Sequence, residues 1–525
     1  MMKKLSTAGE KIAGCNPATG EKLGEFDVNT VDDVKYAIRK AREVQPKWAS
    51  LSAKERASRI MKIREFLVNN VDDLALTISR DNGKTRIDAL VTEILPAILA
   101  TKYYCKKAPS FLRDRYLFPG SFLLANKISK IRRVPYGVVG IISPWNYPFC
   151  IPFSEVIMAL LAGNAVVLKV ATETQLVGHK LKKAIDVADL PDGLFTYINM
   201  PGRLAGDAFL NAGVDKLFFT GSTTVGKELM KKAANTLTPI CLELGGNDPM
   251  IVCEDANLER AATGAVWAGL QNAGQSCGAV ERIYVHESVY EKFLEILKEK
   301  VENLRIGVDT NFQIDIGAIT TARQMKIVEE HIEDALSRGA TIYAQSKPPK
   351  NLKGNFLPAI VLVNVNHSMK IMKEETFGPV LPVMPYRYTS EAIALANDST
   401  LGLTASVWSR NRKKAKEIGQ KIKAGVITIN DHLMTHGMPE TPWGGFKESG
   451  IGRTHGKIGF DEMTQVQVVV DDLLSSTKKG LWWHPYERRL YNRFKGAIDI
   501  VSGKSWLNKL KGLFSLARIF PRIFF

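Results

Sequence analysis

The segment Asn272-Ala273-Gly274-Gln275-Ser276-Cys277-Gly278 places a thiol between glycines. Glycines on both sides allow close backbone approach and expose the sulfur. A packing cysteine sits instead among bulky apolar neighbours, as Cys253 does in Ile251-Val252-Cys253 and Cys241 in Pro239-Ile240-Cys241. A thiol is the most nucleophilic neutral side chain and attacks a carbonyl carbon once partly deprotonated. It needs a base. Glu243, in Leu242-Glu243-Leu244-Gly245-Gly246, has two readings. It is either a charged strand-end residue facing water or a partly buried carboxylate of raised basicity that activates a thiol or a water.

The elements that must position these groups are legible in the chain's texture. From about residue 30 to 110 the pattern is helical, with Val31-Asp32-Asp33-Val34 and Ser52-Ala53-Lys54-Glu55 as N-terminal caps. From about 131, short β-branched runs alternate with helical segments: 138–142, 165–168, 216–219 and 249–252, then a second series from 282–285 to 425–429. Continuous apolar strands separated by helices imply parallel sheets covered on both faces, hence an α/β protein. Ligands of such sheets lie beyond the carboxyl ends of the strands. Trp145-Asn146, Lys169 and Gly221-Ser222 follow three strand ends in turn, which reads as a dinucleotide crevice. Gln465-Val466-Gln467-Val468-Val469-Val470 reads as a late strand suited to pairing with another element or subunit.

Composition narrows the alternatives. With 525 residues, 45% hydrophobic and 24% charged, the chain is globular, and ~100–200 residues per domain gives two to four domains. Met1-Met2-Lys3-Lys4-Leu5-Ser6 leads into no apolar run of a secretory signal. The six scattered cysteines form no C-x-x-C pair, which argues against zinc or a disulfide framework and fits a reducing cytosol. No metal site is expected. The net charge of +17 is uneven: from Lys478 onward eleven Lys and Arg face two acids. The body therefore needs no polyanion, and nucleic acid is not an expected partner.

Six segments occur in order: Pro144-Trp145-Asn146, Phe219-Thr220-Gly221-Ser222, Glu243-Leu244-Gly245-Gly246, Gly274-Gln275-Ser276-Cys277, Glu374-Glu375-Thr376-Phe377-Gly378-Pro379 and Pro442-Trp443-Gly444-Gly445-Phe446-Lys447-Glu448-Ser449-Gly450. In order and spacing the chain resembles the aldehyde dehydrogenase superfamily over roughly residues 10–475. The resemblance implies oxidation of an aldehyde to a carboxylic acid with NAD or NADP. It implies that Cys277 attacks the aldehyde carbon, that the Asn146 amide and the Cys277 N–H hold the oxyanion, and that Glu243 activates the hydrolytic water. Lys169 and Glu375 would hold ribose hydroxyls, Ser222 and Trp145 the pyrophosphate region, and Phe377 the nicotinamide ribose, with Thr172, Gly221 and Leu244 completing the cofactor site. Relatives that transfer the acyl group to coenzyme A usually lack the glutamate, so Glu243 implies release of a free acid.

The resemblance also implies a Rossmann-like parallel-sheet cofactor domain (1–112 and 136–244), an α/β catalytic domain (245–445) and a small β oligomerisation element (113–135 and 455–475). A homodimer or homotetramer is expected. Three departures stand out. Thr172 occupies the place where NAD-preferring relatives carry Glu, with Glu173 one step late, so a 2′-phosphate is not repelled. Ser154 stands where succinate-semialdehyde relatives often carry Arg, and with Trp267 and Leu270 it predicts an apolar mouth and a hydrophobic aliphatic or aromatic aldehyde; succinate semialdehyde is the alternative substrate. Glu155 stands where many relatives carry Lys, and Thr454 where some carry a second Glu; a structural salt bridge is the expected role of Glu155.

Residues 476–525 extend beyond the resemblance. In Ser505–Phe520 the apolar positions Trp506, Leu507, Leu510, Leu513, Phe514, Ala517 and Phe520 follow a helical repeat, with Lys504, Lys509, Lys511 and Arg518 on other faces. A basic amphipathic helix is expected, suited to lie in a membrane interface or to dock on the body or a sister subunit. The expected location is cytoplasmic, with peripheral membrane contact through 478–525. A structural relative that has lost catalysis is a further alternative, against which Cys277 and Glu243 both remain.

Overall fold

The computed structural model describes residues 9–348, 352–502 and 504–524. Met1-Met2-Lys3-Lys4-Leu5-Ser6 and Phe525 lie outside them. Two compact units are present, residues 9–113 with 133–465 and residues 114–132 with 466–524.

The first unit contains two α/β sheets. One has six strands in the order Gly450–Ile451, Ile240–Glu243, Lys216–Thr220, Val138–Ile142, Ala165–Lys169, Phe195–Ile198. All pair in parallel except the short Gly450–Ile451, which runs antiparallel to Ile240–Glu243. The chain winds outward from Val138–Ile142 in one direction, then returns to add Lys216–Thr220 on its other side. This creates a switch point where Val138–Ile142 and Lys216–Thr220 end side by side. The second sheet has seven strands, Thr341–Gln345, Ile360–Val363, Val380–Tyr386, Val280–His286, Asp248–Val252, Thr404–Trp408 and Val426–Ile429 in that order. Only its Thr341–Gln345 edge is antiparallel.

The helical N-terminal region forms Val31–Ala49, Ala53–Asn69 and Val71–Asn82. Both expected starts are capping boxes. The caps are Thr30, whose Oγ1 accepts from the Asp33 N–H, and Ser52, whose Oγ accepts from the Glu55 N–H. The helix Cys150–Ala162 is apolar around its circumference and is buried at every position. A helix without a polar face belongs in the middle of a structure, and this burial fixes the surroundings of Glu155.

The second unit holds a three-stranded sheet in the order Thr464–Asp472, Lys127–Pro135, Arg115–Leu117. Its tail folds into two helices, Arg488–Ser502 and Trp506–Ala517, where the sequence pattern implied one. They approach closely through glycine: a Cβ on Gly512 would fall 2.2 Å from the Gly496 carbonyl oxygen. Among the described residues no helix is long and apolar enough to cross a membrane.

Candidate active site

Cys277 follows a tight turn, Gln271–Gly274, in which Asn272 and Ala273 both adopt φ near 55°. Gly274, at φ 75°, has no room for a side chain, since a Cβ would lie 2.1 Å from the Gly378 carbonyl oxygen. A Cβ on Gly246 would lie 2.2 Å from the Cys277 carbonyl oxygen. The two glycines therefore let the Glu243 strand end, the cysteine turn and the 374–379 loop converge. Cys277 is partly exposed and faces two spaces. The larger has a volume of about 270 Å³ and is walled by Val91, Leu95, Ile151, Trp267, Leu433 and Met434. The smaller, about 20 Å³, lies between Cys277, Glu243, Glu155, His436, Thr454 and His455. It is the size of one water molecule.

Both carboxylate oxygens of Glu243 are buried without a hydrogen-bond partner. Burial, followed by the charge of Glu155, holds this carboxyl well above the usual range, while Arg453 pulls the other way. The group is thus a strong base when ionised. The Cys277 thiol is also held up, by burial first and then by Glu375, Asp248 and Glu243. His436 and His455 are kept neutral by burial, His436 with its ionisation lowered to about 4.

Asn146 is buried, and its Nδ2 donates to the Gln275 carbonyl oxygen at 3.2 Å. Its own carbonyl oxygen accepts from Lys84 Nζ at 2.8 Å and from Asn272 Nδ2 at 3.0 Å. Lys84 forms a fully buried ion pair with Glu93, 2.7 Å apart, and Glu93 accepts the Phe149 and Cys150 N–H groups. This network locks the Asn146 loop to the start of the Cys150–Ala162 helix. Sequence reasoning missed Lys84, Glu93 and Asn272, because nothing in their spacing signals contacts across tens of residues.

The cofactor candidates are spread along the crevice. Trp145 and Phe377 meet edge to face with ring centroids 5.5 Å apart. Phe377 has φ 55°, and Glu281, also unforeseen, accepts its N–H at 2.8 Å. Glu375 lies against Gly245 and Gly246 and accepts the Gly246 N–H at 3.1 Å. Lys169 ends its strand, buried, its ionisation lowered to about 8 by burial against the partial offset of Glu173. Thr172 is half-buried in a turn and Glu173 is exposed. Ser222 caps the helix Thr223–Ala233, and Leu244 packs against Gly226 in that helix. Gly221 donates its N–H to the Glu243 carbonyl oxygen.

Two expectations need correction. Glu155 forms no ion pair among the described residues; it is buried, Oε2 lacks a partner, and burial lifts its carboxyl to about 8. Its helix has no polar face, so no surface cation reaches it. Ser154 and Leu270 are buried and do not line the larger space, whose wall is supplied from the same helices by Ile151 and Trp267.

Comparison with known proteins follows the same lines. A model described as the aldehyde dehydrogenase family matches residues 5–469. The chain belongs to the aldehyde dehydrogenase family. It is 39% identical over 495 residues to the 4,4'-diapolycopene aldehyde oxidase of Methylomonas sp, covering 94% of this chain and 92% of that protein. It is 36% identical over 455 residues to a Mycolicibacterium smegmatis protein provisionally named succinate-semialdehyde dehydrogenase [NADP(+)], covering 86% and 87%. The NAD+ complex of an aldehyde dehydrogenase from Bacillus cereus superposes with a TM-score of 0.84 at 33% identity, covering 89% and 94%. As an aldehyde dehydrogenase, the protein oxidises an aldehyde to the carboxylic acid with NAD or NADP as hydride acceptor. The crevice suits such a cofactor: the Ser143 and Thr220 hydroxyls, at the ends of the two strands flanking the switch point, are buried without partners.

Proposed function

We propose that the natural substrate is a long, apolar aldehyde released as the free acid. The observation that carries this is the larger space at Cys277, about 270 Å³, whose lining contains no Lys or Arg to bind a substrate carboxylate. The relative named as an aldehyde oxidase of diapolycopene supports the same substrate class.

In this reading Cys277 is the nucleophile and Asn146, steadied through its backbone by Lys84 and Asn272, donates Nδ2 to the oxyanion with the Cys277 N–H. Glu243 activates the water that fits beside it. When bound, NAD or NADP supplies the hydride acceptor. Lys169, Thr172 and Glu375 serve its riboses, Gly221, Ser222 and Trp145 its pyrophosphate region, and Leu244 and Phe377 the nicotinamide end. Domain limits at 112/136, 245 and 445 separate cofactor and catalytic sheets. The strand Thr464–Asp472 lies at a sheet edge with Val466, Val468 and Val470 each 56% exposed, which supports a dimer or tetramer joined through it. Six free cysteines support a reducing, cytoplasmic setting, and the tail supplies membrane contact.

A panel of medium-chain, long-chain and aromatic aldehydes, run beside succinate semialdehyde with each cofactor, tests the reading. The apolar aldehydes should give the higher kcat/KM. A preference for succinate semialdehyde would replace this reading with the other.

A further inference from the structure

Glu155 is a buried carboxyl that the reaction scheme above leaves idle. It lines the same water-sized space as Glu243 and Cys277. Three of the four carboxylate oxygens of the pair, both of Glu243 and Oε2 of Glu155, are buried and accept no hydrogen bond. The other titratable groups facing the pair offset it only in part, through Arg453. Lys216 is engaged by Glu462 at 2.7 Å, and Arg453 Nη1 donates to the carbonyl oxygens of Gly445 and Gly452. His436 and His455 are neutral, and Cys241 and Cys277 are held as thiols by burial. Two carboxyls buried at one small space cannot both ionise readily, so they share a proton and titrate as a pair.

We propose that Glu155 is a positioning residue for the proton of Glu243: the two side chains share one proton across the water site, and the carboxylate of Glu155 raises the basicity with which Glu243 takes the water proton. This rests on the assignment of Glu243 as the hydrolytic base. In thioester hydrolysis the water oxygen bonds to the acyl carbon and the water proton passes to Glu243. The carbon–sulfur bond then breaks, sulfur leaves as the Cys277 thiolate, and the acid departs. Glu243 accepts that proton only as a carboxylate, so the shared proton must have left it, for Glu155 or for solvent, by that moment. Glu243 then passes the proton taken from water to solvent before the next turnover, which restores the pair. When Glu155 ionises, its charge raises the basicity of Glu243 further.

The test uses 4-nitrophenyl acetate with the full-length enzyme. The nitrophenolate burst reads acylation of Cys277, and the slow phase reads deacylation across pH. In Glu155→Gln, loss of the second charge should move the acid limb of the deacylation profile down by about one pH unit or more. The alkaline plateau should fall severalfold, since a weaker base removes the water proton. Glu155→Asp should keep the limb near its original place. A second measurement does not need the Gln variant to fold. In difference infrared spectra, Glu243→Gln should let the protonated-carboxyl band of Glu155 disappear at lower pH than in the wild type. A Glu155→Gln profile that superimposes on the wild type, an Asp variant that shifts like Gln, or an unmoved infrared band overturns the proposal. Wild-type deacylation in Glu243→Gln would instead remove the base assignment itself. A stalled Glu243→Gln beside an unchanged Glu155→Gln removes only the pairing.

Discussion

At the scale of single residues, the proposed chemistry rests on a thiol and a carboxylate that burial holds toward their protonated forms. In the proposed mechanism the nucleophile and the base are therefore armed during turnover. Glu243 becomes a base only as pH rises through its elevated ionisation, so hydrolysis should be lost toward acid while the resting enzyme stays intact. Cys277→Ala should abolish oxidation and leave cofactor binding, read by fluorescence titration, largely unchanged. Glu243→Gln should give one burst of reduced cofactor and then stall at the thioester. Steady turnover in either variant would remove the assigned roles. Cys277, Glu243 and Asn146 were visible in the sequence because each sits in a short motif beside glycine, proline or a strand end. Lys84, Glu93 and Glu281 were not, since a buried lysine and a surface lysine look alike until the partner is known. Glu155 carried the expectation of a structural salt bridge, but its place on an otherwise apolar, buried helix leaves it without an ion-pair partner among the described residues.

At the scale of elements, strand ends and helix starts carry the site. The runs 138–142, 165–168 and 216–219 were readable as strands, but their order around the switch point was not, since a right-handed crossover can add the next strand on either side. The unforeseen element is the wide helical turn Leu90–Ile94, which directs Glu93 inward and leaves Leu90 and Val91 outside. Its carboxylate caps the Cys150–Ala162 helix and pairs with Lys84. Removing one partner of such a buried pair strands the other, at a cost of roughly 3–5 kcal/mol. Glu93→Ala should lower the chemical-denaturation midpoint accordingly, and the double variant Lys84→Met/Glu93→Met should recover part of the loss. Equal destabilisation by both would mean that the pair is not coupled. The proposed seat of the cofactor choice is the turn Thr172–Thr174 after the strand Ala165–Lys169. Thr172→Glu should raise the KM for NADP more than that for NAD, because a carboxylate beside a phosphate costs on the order of a few kcal/mol before screening. An unmoved ratio would place the 2′-position elsewhere.

At the scale of the whole molecule, the tail lies past the family model, although the alignment with the Methylomonas relative, at 94% of this chain, reaches into it. The family match ends at residue 469, and eleven of the chain's Lys and Arg follow from 478 onward. On the helices Arg488–Ser502 and Trp506–Ala517, Ile498, Val501, Trp506, Leu513 and Phe514 are each more than half exposed. Large apolar side chains left exposed together on two packed helices mark an interaction site. Lysines and arginines beside it match an anionic bilayer, each worth roughly 1 kcal/mol near the surface, and the aromatic and leucine side chains add burial at about 25 cal/mol per Å². An enzyme for long apolar aldehydes gains from this placement, because such substrates reside in the bilayer. The full-length protein should therefore sediment with vesicles containing anionic lipid and be partly released by high salt. Vesicles of neutral lipid should bind it less. Truncation before Lys478, or Leu513→Asp with Phe514→Asp in the full chain, should abolish sedimentation and spare activity on short soluble aldehydes. If either change instead dissociates the oligomer, or removes activity on every aldehyde, the tail is a protein contact and the membrane assignment fails.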